Sequence, residues 1–435
     1  MEADGNDGPR CEESENLLTA LSLAASLAPP RAPPFDSAQR ALLLGMDPSM
    51  LPLNSHFREI ATKQNRRKSL ENLRNAHLTC PNRAPHPHLP SKTDQGLTRF
   101  LGNGLPTSWL NNLRDSGGFR AIADGIVTAS IPSLGIMSPS AAIQFFKLTS
   151  QCRRINYGPH PKHVVDMFLP SQNEPKGLVF FVHGGAWGSG LPWMYRLTSL
   201  PFLEIGLAVA VVGYRVYPET DVEGQVSDLE LAACEIERRF PHLYKSSEFG
   251  IIVIGHSSGA HIALNWIIDR ASLIKNGNTQ LPKACSTFIG ISGPYDISHH
   301  FDYEAARGVE ELSPMKAACG FSRDAFRDNS PAFRLLSLLI SINESQEDLN
   351  ELLPKILLVH GIEDGTVPFT ATAEAARIIK ACGVSRCSEL YLTKTGHEQA
   401  VMELMLGGKT RDQILKWLLH GNTYSAGRVK KGSRL

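Results

Sequence analysis

One stretch constrains the fold of this chain more than any other. Residues 249–263 read FGIIVIGHSSGAHIA: an apolar run stops at a glycine, presents a serine, and resumes with helical spacing. The pattern predicts a buried strand, a sharp turn and a helix. The turn Gly255-His256-Ser257-Ser258-Gly259 fits G-x-S-x-G, where the serine sits in strained backbone and side chains at the glycine positions would collide with the adjoining strand or helix. Ser257 would then stand at the carboxyl edge of a sheet. The helix that follows would turn its free N–H groups and positive dipole end toward any negative charge developing there. A glycine-bounded turn with an incidental serine has the same sequence, so the rest of the chain has to decide.

The remainder alternates in the same manner. Apolar runs predict strands over 163–169, 178–182, 208–212, 251–254, 286–291, 355–359 and 389–392; amphipathic spacing predicts helices near 194–204, 226–240, 371–382 and 411–419. Strands without polar alternation, separated by helices, imply an α/β class with a mostly parallel central sheet covered by helices on both faces. Residues 1–95, rich in Pro, Ser, Asn and Arg without a sustained period, read as a disordered extension. Residues 96–156 read as a helical lead-in, where Ser138-Pro139-Ser140 should cap a helix. Residues 157–421 form the expected main domain and 422–435 a basic tail. Within the domain an irregular stretch, about 293–353, exceeds an ordinary connection and reads as a lid or cap over the carboxyl edge. Its run Leu335-Leu-Ser-Leu-Leu-Ile340 would either line a pocket or pack on the core as a helix.

Composition narrows the function. Charged residues make up 20% of the 435 and the formal net charge is +1, so no nucleic-acid partner is expected. The eight cysteines form no CxxC pair, and neither a metal nor an organic cofactor is expected. The acidic start MEADGNDGPRCEESEN lacks the character of a secretory signal, and no apolar stretch reaches the about 18 residues of a transmembrane helix. The expectation is a cytoplasmic protein, with peripheral contact to endomembranes left open.

Two further loops supply what Ser257 would need. Leu357-Leu-Val-His360-Gly361-Ile-Glu-Asp364 is a buried strand running into a turn with an acid, and Leu390-Tyr-Leu-Thr-Lys-Thr-Gly396-His397 is a strand that ends in glycine and histidine. Both lie on loops past the carboxyl ends of their strands, the edge that also carries Ser257. His397 would take the serine proton and return it to the leaving group, while Asp364 would fix its tautomer and stabilise the imidazolium. The other histidines fit less well: His261 lies one helical turn below Ser257, His256 should project to the opposite side of the turn, and His183 and His360 end strands of their own and anchor loops. Glu363 and Asp296 stay open as alternative acids, Asp296 chiefly as a turn-capping residue. After the strand GLVFFV, the loop His183-Gly184-Gly185-Ala186-Trp187 offers backbone N–H groups. Gly184, Gly185 and Ala186, with the N–H of Ser258, would form the oxyanion and substrate-binding site. A histidine base implies an acid limb of activity at an apparent pKa of about 6 to 7.

These residues resemble those of the α/β-hydrolase superfamily, and within it the esterase group that includes isoprenylcysteine methylesterases and kynurenine formamidases. The resemblance spans about 157–419. His183-Gly-Gly-Ala-Trp187 is similar to the HGGxW motif of the formamidases, and Ser257-Ser-Gly-Ala-His261 to the SxGAH turn of both groups. Gly290-Ile-Ser-Gly-Pro-Tyr-Asp296 with His300-Phe-Asp, and Lys394-Thr-Gly-His397 with Leu406-Gly-Gly408, resemble methylesterase segments. Position 258 is serine where the family usually has alanine, and 256 is histidine where the methylesterases usually have glutamine. The resemblance implies an α/β-hydrolase fold, a triad in the order Ser, Asp, His, and hydrolysis of a carboxyl methyl ester on a prenylated cysteine through an acyl-enzyme. An N-formyl aryl amide substrate, a broad carboxylesterase and a catalytically silent binding module are the other readings. The expected partner is a small-molecule ester, prenylated under the first reading.

Overall fold

Five adjacent strands at the centre of the sheet are buried along their whole length apart from first residues, which is why their sequences show no polar alternation. The computed structural model describes residues 138–171, 174–245, 248–276, 284–310, 313–345 and 349–426. The expected extension 1–95, the lead-in up to 137 and the tail from 427 lie outside the described residues. Helix α1 (Pro139–Gln151) is followed by β1 (Arg153–Asn156), β2 (Val164–Phe168), β3 (Gly177–Val182), β4 (Ala208–Val212), α2 (Val222–Arg239), β5 (Gly250–His256) and α3 (Ser258–Lys275). Then come β6 (Thr287–Ile291), α4 (Ile297–Arg307), α5 (Pro331–Ser345), β7 (Lys355–Gly361), α6 (Thr370–Ala381), β8 (Cys387–Leu392), α7 (His397–Leu406) and α8 (Lys409–Ala426), with shorter helices between some of them.

The strand order is β1-β2-β4-β3-β5-β6-β7-β8. β1 pairs antiparallel with β2, and β2 with β4; the other pairs are parallel. The period of two sends alternate side chains of each strand into two different cores. On one face Leu178, Phe180 and Val182 meet Leu229 and Ile236 of α2, Trp266 of α3, Leu335 of α5 and Ile379 of α6. On the other Val179 and Phe181 meet Leu148 of α1, Leu404 of α7 and Ile414 and Leu418 of α8. At about 1.5–3 kcal/mol for each large side chain removed from water, these two layers dominate the stability of the sheet.

Three local expectations change. α1 opens on Pro139, whose missing N–H costs nothing at a helix start, and Ser138 makes no side-chain cap. The stretch 293–353, expected to be irregular, is largely helical: α4, α5 and three short helices fill it. Within α5, Leu335, Leu338 and Leu339 recur at helical spacing and are buried in the same core as α3. That run is core and not a pocket wall. No described helix is long and apolar enough to cross a membrane.

Candidate active site

β5 delivers its last residue, His256, to the carboxyl edge, and Ser257 follows at φ 54° and ψ −127°. Such a conformation costs a non-glycine residue of order 1–3 kcal/mol and persists only where its surroundings enforce it. They do so here because Gly259 lets the elbow pass under the neighbouring loop: a Cβ there would stand 2.3 Å from the His183 carbonyl oxygen. A Cβ on Gly255 would likewise meet the Ala260 nitrogen at 2.6 Å. The Ser257 N–H donates to the Ile291 carbonyl at the end of β6, 2.8 Å away, and pins the turn to the sheet.

Three strand ends converge on this serine. The Ser257 hydroxyl is 2.9 Å from His397 Nε2, and His397 Nδ1 is 2.7 Å from Asp364 Oδ2. With the proton on Nδ1 donated to the carboxylate, Nε2 is left as the acceptor for the serine O–H. His397 is the first residue of α7, with Gly396 at the N-cap, so the loop expected after β8 turns at once into a helix. Asp364 is held from the other side as well: its Oδ1 accepts from the Thr366 and Val367 amides, each at 2.9 Å. His360 Nε2 lies 3.1 Å from Asp364 Oδ2 and 2.9 Å from the Val367 carbonyl, and His360 Nδ1 is 2.7 Å from the Thr372 hydroxyl. Sequence reading placed His360 as a loop anchor; the contact with the acid itself went unseen, although the four-residue spacing was its only signal. Asp296 caps α4 by accepting from the His299 amide, the turn-capping role expected of it.

The electrostatics agree with the hydrogen bonds. Burial works to raise the Asp364 pKa, but the neighbouring His397 and His360 override it and hold the carboxyl well below the usual carboxylate range. Burial works to lower that of His397, and the charge and hydrogen bond of Asp364 more than offset it, so the imidazole titrates above its ordinary 6.5. The sign matters for activity, because the base must be neutral to accept a proton. The acid limb of kcat/KM for a 4-nitrophenyl ester is therefore expected above 6.5, at the upper end of what the sequence alone implied or beyond it. A limb at or below 6.5 would contradict this arrangement.

The competing histidines are otherwise engaged. His261 is buried, accepts from Trp187 Nε1 at 3.1 Å, and is 2.7 Å from the Asn329 carbonyl. His256 does not project away from the site: its ring centroid is 5.1 Å from that of His397, and its Nε2 is 3.4 Å from the His397 carbonyl. Burial, first of all, pushes His256 and His261 down to about 3 and His183 to about 4, so each is a weak base.

The glycine loop lies against the serine. A Cβ on Gly184 would come within 3.0 Å of Ser257 Cβ. Gly185 has φ +136°, and Ala186 and Trp187 also adopt positive φ, at 48° and 60°. The carbonyl of Gly185 turns back to accept from the Gly188 and Ser189 amides. The N–H groups of Gly185, Ala186 and Ser258 donate to no acceptor among the described residues, Ser258 because it opens α3. An oxyanion beside Ser257 would give them one.

The ends of β5, β7 and β8 thus bring a serine, an acid and a histidine to one edge of a mostly parallel eight-stranded sheet. The chain has the α/β-hydrolase fold, and residues 165–378 match the BD-FAE family model. It is 28% identical over 333 residues to a probable isoprenylcysteine alpha-carbonyl methylesterase of Oryza sativa subsp. japonica, covering 74% of this chain and 72% of that protein. Four more proteins so named, from rice and Arabidopsis thaliana, match at 25–28% identity, and the chain spans 53–63% of their length. A kynurenine formamidase of Danio rerio is 26% identical, over 49% of this chain and 74% of that protein. The crystal structure of an esterase B from Lactobacillus Rhamnosis superimposes with a TM-score of 0.49 at 15% identity, covering 70% of this chain and 98% of its own.

Proposed function

We propose that the protein is a serine hydrolase that cleaves a carboxylic ester through an acyl-enzyme formed on Ser257. The reading rests above all on the two hydrogen bonds that run from the Ser257 hydroxyl through His397 to Asp364. In this mechanism His397 takes the serine proton as the hydroxyl oxygen attacks the ester carbonyl. The tetrahedral oxyanion is met by the N–H groups of Gly185, Ala186 and Ser258. His397 then protonates the departing alcohol, and a water molecule, activated by the same base, releases the acid. Asp364 keeps the imidazole in the required tautomer throughout.

For the substrate we propose a methyl ester of a prenylated cysteine, supported by the names of the rice and Arabidopsis relatives. A second reading, an N-formyl aryl amide, is supported by the formamidase relatives and by the burial of Leu335, Leu338 and Leu339 in the core, which removes one apolar wall from the site. The two are separated by kcat/KM, which reports differential transition-state binding. The purified chain is given S-alkylcysteine methyl esters of increasing tail length and an N-formyl aryl amide. Preference for the methyl esters, increasing with the tail, is expected. Preference for the formyl amide, or indifference to the tail, would defeat the prenyl reading.

A further inference from the structure

One side of α4 carries an unexplained cation. His300, Tyr303, Glu304 and Arg307 recur at spacings of three and four, and so share one side of the helix. That side borders the glycine loop and the turn that carries Asp364, at one point each. The His300 ring centroid is 6.2 Å from that of Trp187, in the glycine loop. The Tyr303 hydroxyl donates to the carbonyl of Gly365, next to Asp364, at 3.0 Å. Arg307 ends the row, its guanidinium carbon 5.5 Å from the centre of the Tyr303 ring. Its positive charge is felt at His397, where it opposes protonation.

No ion pair answers this charge among the described residues. Glu304 is one turn away, yet its Oε1 lies 3.3 Å from His300 Nε2 and forms no ion pair with Arg307. Among the described residues no carboxylate pairs with Arg307, and its Nε is buried without a hydrogen-bond partner. A guanidinium whose Nε–H is buried and unused is shaped to grip a carboxylate by two parallel hydrogen bonds through Nε and a terminal nitrogen, and stacking on a tyrosine ring limits its motion.

We propose that Arg307 is a specificity-determining residue that binds a carboxylate carried by the ester substrate close to the scissile bond. The inference rests on the ester-hydrolase reading of the same site but not on the prenylcysteine methyl ester, which carries no free carboxylate; the two substrate readings compete, and the charge of the preferred ester decides between them. Arg307 favours acidic esters over neutral ones of equal size.

Matched pairs of esters test it on the full chain. Mono-4-nitrophenyl glutarate and 4-nitrophenyl pentanoate differ in whether the acyl chain ends in a carboxylate or a methyl group; 4-carboxyphenyl and 4-methylphenyl butanoate place the same difference on the leaving group. The ratio of kcat/KM, acidic over neutral, is measured for the native chain, Arg307→Gln and Arg307→Lys at fixed pH and ionic strength. Because both esters of a pair are read on one preparation, the ratio is indifferent to how much of a variant has folded. Arg307→Gln is expected to lower the ratio about tenfold or more for at least one pair, with Arg307→Lys retaining part of it. A ratio within about twofold of the native value for both pairs in Arg307→Gln would overturn the proposal while leaving the hydrolase reading intact. If the native chain hydrolyses none of the four esters, the hydrolase reading fails and this inference goes with it.

Discussion

Ser257→Ala is expected to lower kcat toward a 4-nitrophenyl ester by about four to six orders of magnitude, the loss that follows removal of the nucleophile from a serine-histidine-acid array. The change deletes one oxygen and leaves the strained turn otherwise intact. The residue keeps its Cβ, and the turn is held by the Ser257 amide bond to Ile291 and by the close approach of Gly259 to His183. The melting temperature should therefore change little. Steady-state kinetics alongside thermal unfolding separate the two effects: an inactive variant that also unfolds early would point to a structural role for the hydroxyl.

Asp364→Asn is expected to reduce kcat by about four orders of magnitude. The direction follows from the hydrogen bonds around the acid. Oδ1 accepts two backbone N–H groups, from Thr366 and Val367, so the oxygen of an asparagine would settle there. Its NH2 would then occupy the Oδ2 position, 2.7 Å from His397 Nδ1. Two donors cannot face each other, so the imidazole proton would move to Nε2, which could no longer accept from Ser257. The residual activity should carry a second mark. Asp364 is what raises the His397 pKa against the opposing effect of burial, so the acid limb of the variant should move to lower pH. A pH–rate profile that kept its limb while losing amplitude would show that Asp364 acts on something other than this histidine.

The parts of this architecture that are legible in sequence are those that a single physical pattern dictates. Fully buried parallel strands such as Phe180-Phe181 and Val253-Ile254 must be continuously apolar, and a glycine is required wherever the elbow passes within van der Waals contact of its neighbour. The common strand edge of Ser257, Asp364 and His397 follows from those strands, and their hydrogen bonds are an outcome of the fold that spacing alone does not supply. β1 was hidden because Arg153-Arg154-Ile155-Asn156 exposes three of its four residues and relies on pairing with β2 and on the ion pair of Arg154 with Asp166. Three of the helices of 293–353 were obscured by their shortness, at four to six residues each, and Pro314 and Pro331 break the apolar period of the stretch. α7 escaped notice because its first residue is His397, read as the end of a loop. Arg307 could not be found by spacing at all, since its interest lies in the partner it lacks among the described residues and not in any motif.

The central claim is that Ser257 is the residue on which an acyl group is formed. It is tested most directly by incubating the native chain with a fluorophosphonate, which phosphonylates an activated serine, and locating the adduct by peptide mass spectrometry. The account predicts one adduct, on the peptide that contains Ser257, forming more slowly as pH falls through the His397 titration and absent from Ser257→Ala. An adduct on a different serine, or labelling that persists unchanged in the alanine variant, would contradict it.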